Sequence, residues 1–264
     1  MSSVAAIVLA AGKGTRMKSD LPKVLHKAAG KSLVEWVLES VKHSSASKFC
    51  LVLGGDLTAF SELLEKYKGQ VSVCVQQERR GTGDAVSSAG FAFKGVSLPP
   101  FAKGEMIHGE KIEADEVLIC AGDVPNMNGN TLKEFVEDAR RRAADLSVLG
   151  MRHVTPFGYG RIVADQNGNF VKIVEEKDAS EDEKKITLCN SGVIYGRTKA
   201  LFECLGKLTT NNKQGEYYLT DIFQIGRQSG KKVTAFETSD WQQFEGVNDP
   251  DQLARVERLI LSRQ

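Results

Sequence analysis

At 264 residues the chain is long enough for one large domain, or one domain with a small lobe. Lys and Arg number 35 against 34 Asp and Glu, a net charge of +1, so no overall field draws the chain to a nucleic-acid polymer or an anionic membrane. Hydrophobic residues at 41% and charged residues at 26% are ordinary for a soluble globular protein, and any phosphate binding must come from local groups.

The chain opens MSSVAAIVLAAGKGTRM, in which the apolar run is only Val4–Ala11 and the basic residues follow it. A spanning helix needs about twenty apolar residues, and a signal peptide carries its basic residues in front. The expectation is a cytoplasmic protein. The five cysteines, Cys50, Cys74, Cys120, Cys189 and Cys204, show no metal-ligand spacing and read as buried thiols of a reducing compartment.

Short apolar runs alternate with longer amphipathic segments. Val4–Leu9, Phe49–Leu53, Val71–Val75, Val117–Cys120 and Leu146–Met151 predict buried strands. Leu33–Val41, Phe60–Tyr67, Asp84–Phe93 and Leu132–Ala143 carry helical spacing between them. That alternation predicts βαβ units and a mostly parallel sheet covered on both faces. The segment Gly95–Ala114, with Pro99-Pro100 and mixed charge, predicts a surface loop that either covers a site or decorates an edge.

From Gly158 the rhythm changes. Arg161–Ala164 and Phe170–Val174 flank Asp165-Gln166-Asn167-Gly168-Asn169, a hairpin signal. Glu175–Lys185 predicts a solvated loop or short helix, and Ser191–Tyr195 and Val233–Phe236 predict strands with a helix over Tyr217–Gln228 between them. Asp249-Pro250 starts a last helix with Leu253, Val256, Leu259 and Ile260 on one face. No repeat or linker interrupts the chain. The reading is a single α/β domain over 1–264, its sheet mostly parallel with an antiparallel excursion in the second half, divisible at 1–150, 151–248 and 249–264.

The first strand runs into Leu9-Ala10-Ala11-Gly12-Lys13-Gly14-Thr15-Arg16-Met17. Small residues after a strand let backbone approach a ligand, and successive N–H groups can cradle an anion. Lys13, Arg16 and Lys23 bring three cations near this loop, and Pro22 limits any helix there. A dinucleotide fingerprint would need Gly where Met17 stands, and a P-loop would need Ser or Thr where Gly14 follows Lys13. Read alone, the loop is a triphosphate cradle or a tight turn with solvated lysines. Asp123 follows the strand Val117–Cys120 at the edge where open α/β sheets bind ligands, and fits a metal ligand or a turn cap equally.

LAAGKGTRM followed by LPKVLH resembles the signature of the sugar-phosphate nucleotidyltransferases, and within them the N-acetylglucosamine-1-phosphate uridylyltransferases. Gly81-Thr82-Gly83, Gly122-Asp123-Val124-Pro125, Gly158-Tyr159-Gly160-Arg161-Ile162, Gln214–Asp221 and Glu245-Gly246-Val247-Asn248 follow in the expected order, so the likeness spans nearly the whole chain. The resemblance implies a Rossmann-like three-layer nucleotidyltransferase fold, with a nucleotide-binding first half and a sugar-binding second half. It implies transfer of a uridylyl group from UTP to N-acetylglucosamine 1-phosphate, giving UDP-N-acetylglucosamine and pyrophosphate. Another base or sugar, or a catalytically silent nucleotide-sugar-binding protein on the same fold, are the alternatives.

By the same resemblance Leu9, Ala10, Ala11, Gly12, Lys13 and Gly14 line the nucleotide, and Arg16 and Lys23 act on the phosphates. Gln76, Gly81 and Thr82 read the uracil edge, and Gly160, Glu175 and Asn190 hold the sugar. Asp123 and Asn248 are the implied ligands of Mg²⁺, although Asn248-Asp249-Pro250 also reads as a helix cap. The chain departs from the family pattern at Arg79, Asp84, Ala121 and Asn126, and by the segment Gly95–Ala114, which bears on base and sugar selectivity. The partners implied are UTP and a sugar 1-phosphate, with no polymer or membrane. Hexapeptide repeats of the kind that follow in many relatives do not appear, so no acetyl transfer and a monomer or weak dimer are expected.

Overall fold

A computed structural model describes residues 2–166 and 168–263. In chain order the strands are β1 (Val4–Ala10), a short hairpin of β2 (Lys27–Ala28) and β3 (Lys31–Ser32), β4 (Ala46–Gly54), β5 (Ser72–Gln76) and β6 (Gly104–His108). They continue with β7 (Glu116–Ala121), β8 (Leu146–Arg152), β9 (Arg161–Ala164), β10 (Phe170–Val174), β11 (Leu188–Arg197) and β12 (Val233–Thr238). The helices are α1 (Leu33–Lys42), α2 (Ser61–Lys66), α3 (Thr82–Ala89), α4 (Gly129–Arg141), α5 (Glu181–Lys184), α6 (Thr198–Leu205), α7 (Asp221–Gln228) and α8 (Pro250–Leu261).

β1 is apolar along its whole length because both its faces are covered. Ala6, Val8 and Ala10 point into one apolar cluster with Val34, Val37 and Leu38 of α1 and Phe135 and Val136 of α4. Ala5 and Ile7 point the other way, to Val86 of α3, Leu201 and Phe202 of α6, and Ile222 and Phe223 of α7. The two-residue period of a strand thus divides one sequence between two cores, and the result is a three-layer α/β/α sandwich.

The main sheet runs β10-β9-β11-β7-β1-β4-β5-β6, with β8 joined to β11 and β12. β1 pairs in parallel with β4 and β7, and β4 with β5. β11 is antiparallel to both β7 and β8, which is the excursion predicted for the second half. β9 and β10 pair antiparallel around the predicted hairpin, where Asp165 N–H donates to the Asn169 carbonyl at 2.9 Å. Asn167 of that turn lies outside the described residues. A third cluster, Met17, Ala28, Leu33, Val247, Val256 and Ile260, clamps α8 against the segment that follows the glycine-rich loop.

Three expectations change. The segment Gly95–Ala114 is not simply a surface loop, since β6 within it adds antiparallel to β5 at the sheet edge. Its Gly-Glu-Met-Ile-His sequence is too short and mixed to announce a strand, and edge position makes that tolerable. The helix expected from Tyr217 starts at Asp221, because Tyr217 is tied to the turn before α3: its N–H donates to the Arg80 carbonyl at 2.7 Å and its carbonyl accepts from Gly83 N–H at 2.8 Å. α6 was not foreseen. All five cysteines are buried, and burial pushes the Cys120 thiol up to about 12. Among the described residues no helix is long and apolar enough to cross a membrane.

Candidate active site

The parallel strands β1, β4, β5 and β7 end at one edge of the sheet, in Ala10, Gly54, Gln76 and Ala121. A cleft of about 320 Å³ opens there. Leu9, Ala11, Gly12, Lys23, Gln76, Arg79, Gly81, Thr82, Ala121, Asp123 and Glu216 line it. Ligands gather at such edges because the connecting loops diverge and leave a crevice.

The glycine-rich loop is shaped by one close approach. Gly14 has φ +63°, and a Cβ there would fall 2.4 Å from Lys23 Cβ. Without that side chain, Lys23 can cross the loop from the short turn Lys23–Leu25. Its ammonium ion-pairs with Asp123 and donates to Asn248 Oδ1 at 3.0 Å. Lys13 and Arg16 are exposed. Arg79, which sequence reasoning left without a role, donates from Nε to the Ala11 carbonyl at 2.6 Å and packs on Gly54, where a Cβ would meet its guanidinium. A fourth cation is therefore held at the loop.

Asp123 and Asn248 meet because a strap from the far end of the chain is tied in place. Gly122 N–H donates to the Leu9 carbonyl at 2.8 Å, which fixes the turn after β7 beside β1. Val247 N–H donates to the Asp123 carbonyl at 2.9 Å. The helix-capping duty goes to Asp249, whose Oδ1 accepts from Gln252 N–H at 2.8 Å, and this leaves the Asn248 side chain for the cleft.

A carboxylate and an amide oxygen thus converge on one cation, the Lys23 ammonium. Two hard oxygen donors suit Mg²⁺, which completes its shell with phosphate oxygens and water. Among the described residues no group of three or more His, Cys, Asp and Glu forms a closed metal cage. One carboxylate and one amide oxygen are a donor set that fits a magnesium ion taking its remaining ligands from phosphate and water.

At the end of β5, Gln76 has a side chain almost wholly buried, and its Nε2 donates to Asp84 Oδ2 at 2.8 Å and to the Gly81 carbonyl at 3.3 Å. Gly81 has φ +108°, and a Cβ there would lie 2.6 Å from the Tyr217 carbonyl. Thr82 starts α3, and its hydroxyl accepts from Leu219 N–H at 3.2 Å. The segment Gln214–Asp221 consequently seals this turn.

In the second half of the chain, Gly160, Glu175 and Asn190 are brought together. Asn190 N–H donates to the Gly160 carbonyl at 2.8 Å, and a Cβ on Gly160 would lie 3.3 Å from Glu175 Oε2. Glu175 Oε1 accepts from the Thr220 hydroxyl at 2.8 Å. Burial, more than the neighbouring charge of Asp178, holds the Glu175 carboxyl above its ordinary range. Asp221 is pushed up to about 6 by burial first, then by the charges of Glu175 and Asp178. Thr220 was not singled out from sequence, and only its place in the Gln214–Asp221 segment signalled it.

Of the departures, Ala121 lines the cleft, whereas Asn126 donates to the Gln242 carbonyl at 2.9 Å beside a different hollow. That hollow, about 460 Å³ and bordered by Trp36, His43, Met127, Asn128, Ile260 and Arg263, contains none of the predicted phosphate, base or sugar residues. Its size does not make it the reactive site.

What the sheet edge can do is lay a polyphosphate along backbone and cations, against oxygen ligands for a metal, and that is the chemistry of a nucleotidyltransferase. Residues 6–179 match the family of the MobA-like NTP transferase domain, and the chain belongs to that family. It is 39% identical over 258 residues to the bifunctional protein GlmU of Streptococcus thermophilus, across 98% of this chain and 52% of that protein. Identity to the bifunctional protein GlmU of Pelobacter propionicus is 38% over 263 residues, across 100% of this chain and 53% of the relative. The chain spans about half the length of these curated relatives. A solved UDP-glucose pyrophosphorylase in complex with UDP-glucose shares the fold, with a TM-score of 0.71 over 100% of both chains at 16% identity.

Proposed function

We propose that this chain transfers a uridylyl group from UTP to N-acetylglucosamine 1-phosphate, releasing pyrophosphate. The observation that carries the reading is the convergence of Asp123 and Asn248 on a single cation opposite the glycine-rich loop. Similarity to the GlmU proteins and the ordered motifs of the uridylyltransferases support the choice of base and sugar.

A phosphate oxygen of the sugar 1-phosphate attacks the α-phosphorus in line. The bond between that phosphorus and the α–β bridging oxygen breaks, and pyrophosphate carries off the electron pair. The attacking oxygen is already anionic, so no general base is needed and His26, His43, His108 and His153 have no required part. Mg²⁺ bound by Asp123 and Asn248 would neutralise charge on the phosphate oxygens. The residues do the alignment: the backbone from Leu9 to Gly14 lies along the triphosphate, with Lys13, Arg16 and Lys23 countering its charge. Preorganised groups of this kind typically contribute several kcal/mol to lowering a barrier. Gln76, Gly81 and Thr82 orient the base. Gly160 leaves room for the sugar, Glu175 accepts from its hydroxyls, and the Asn190 amide meets its acetamido or hydroxyl groups.

A cytoplasmic location belongs to the same proposal, and the net charge of +1, which offers no field toward an anionic membrane, supports it. Pyrophosphate release, measured with each nucleoside triphosphate against N-acetylglucosamine 1-phosphate and glucose 1-phosphate, tests the proposal. UTP with N-acetylglucosamine 1-phosphate should give the highest kcat/KM. A better triphosphate or sugar would move the assignment elsewhere in the family, and no release with any pair would mark a silent binding protein.

A further inference from the structure

We infer that Asp84, buried behind the base end of the cleft, sets the choice between uracil and cytosine by fixing which end of the Gln76 amide faces the nucleotide. The inference rests on the proposal that Gln76 reads the base. Asp84 is 0% exposed, in the first turn of α3. It accepts at Oδ2 from Gln76 Nε2 and at Oδ1 from Arg80, each at 2.8 Å. The second partner of Gln76 Nε2 is the Gly81 carbonyl at 3.3 Å.

Both partners of the amide nitrogen are oxygen acceptors, so the NH₂ end of Gln76 must face them. Its two protons are then used inside the protein. Gln76 also lines the cleft, and what it has left for a ligand is Oε1, an acceptor. That suits the N3–H of a uracil or thymine ring. Cytosine presents an acceptor at N3, and two acceptors would face each other across a desolvated contact. Turning the amide to greet cytosine would set Oε1 against the Asp84 carboxylate, an unpaired arrangement made worse by the low dielectric of a buried site.

Asp84 is itself held from outside the cleft. Arg80 lies over the Tyr217 ring, 5.6 Å from its centroid, and donates to the Phe101 carbonyl. The Phe101 ring stacks on Tyr217 at 3.8 Å. Phe101 belongs to the segment Gly95–Ala114, so that segment reaches the base pocket through Arg80, Asp84 and Gln76. Asp84 is a positioning residue, acting through Gln76.

The test is the ratio of kcat/KM for UTP over CTP, with N-acetylglucosamine 1-phosphate, in the wild-type protein, Asp84→Asn and Gln76→Ala. Asn at 84 can offer either oxygen or NH₂, so only the longer bond to Gly81 still orients Gln76. The UTP preference should fall at least about tenfold, the scale of one mismatched hydrogen bond. A general loss of structure would lower both rates and leave the ratio alone. If Gln76→Ala collapses the preference while Asp84→Asn keeps it, the orienting role is refuted. A preference that survives Gln76→Ala overturns the base reading itself. Should Asp84→Asn not fold, exchange of the Gln76 side-chain amide protons in the wild-type protein, followed by NMR with and without UMP, decides the matter. Protection in both states supports the inference, and a contact from Nε2 to the base overturns it.

Discussion

Asp221→Asn should raise stability above about pH 6 and flatten its dependence on pH. Asp221 opens α7, and burial with the nearby charges of Glu175 and Asp178 lifts its carboxyl from 3.8 to about 6. Between these values the folded protein keeps a proton that the unfolded chain has lost, so stability falls as pH rises through the window and the loss is complete above the folded value. A shift of roughly two units corresponds to about 3 kcal/mol at most. Asp221 is only partly buried, so solvent screening reduces this, and its place in the first turn of a helix favours the charged form by about 0.5 kcal/mol. About 1 kcal/mol is the expected effect once both are counted.

Urea melts of the two proteins at about pH 5 and about pH 8 read it directly. Wild type should lose about 0.5 kcal/mol more than Asp221→Asn between the two conditions, because about half of the window is already crossed at pH 5. The raised carboxyl of Glu175 adds slope in the same direction, and because its charge acts on Asp221 the difference between the two proteins reads Asp221 together with that coupling. Equal slopes would refute the account of Asp221 as raised by burial and by the charges beside it.

Two further substitutions probe the cleft. Asp123→Asn should lower turnover at least about a hundredfold, and a chelator should abolish activity that added Mg²⁺ restores; a variant with most of its activity would remove Asp123 from the site. Gly81→Ala should cost about 2 kcal/mol or more, because the new Cβ meets the Tyr217 carbonyl at a backbone angle that L side chains avoid; an unchanged melting temperature would show that the Tyr217 segment yields.

Much of the fold was legible because its signals are local. Val4–Leu9 and Val117–Cys120 are apolar without alternation, which is what a strand covered on both faces requires, and helical spacing marked α1 and α4 between such strands. Asp249-Pro250 announced α8 through cap chemistry that depends only on neighbouring residues. β6 and α6 were not legible, being short elements whose burial is set by what they pack on. Gly12-Lys13-Gly14 pointed to an anion cradle, but Gly14 is needed there because of Lys23, which the chain brings back across the loop.

The rest was decided only by distant segments meeting. Asn248 read more readily as a cap than as a ligand, but in the folded chain Asp249 takes the capping bond and Asn248 Oδ1 accepts from the Lys23 ammonium. Arg79 and Asp84 looked like changes of charge near the nucleotide. In the folded chain one clasps the loop at Ala11, and the other turns inward to hold Gln76 under the brace of Arg80. Periodicity and capping are properties of adjacent residues, so the sequence alone determined the layers and the edge where the cleft opens. Which polar groups satisfy one another depends on close contacts between residues far apart in the chain, and only the tertiary structure decided those.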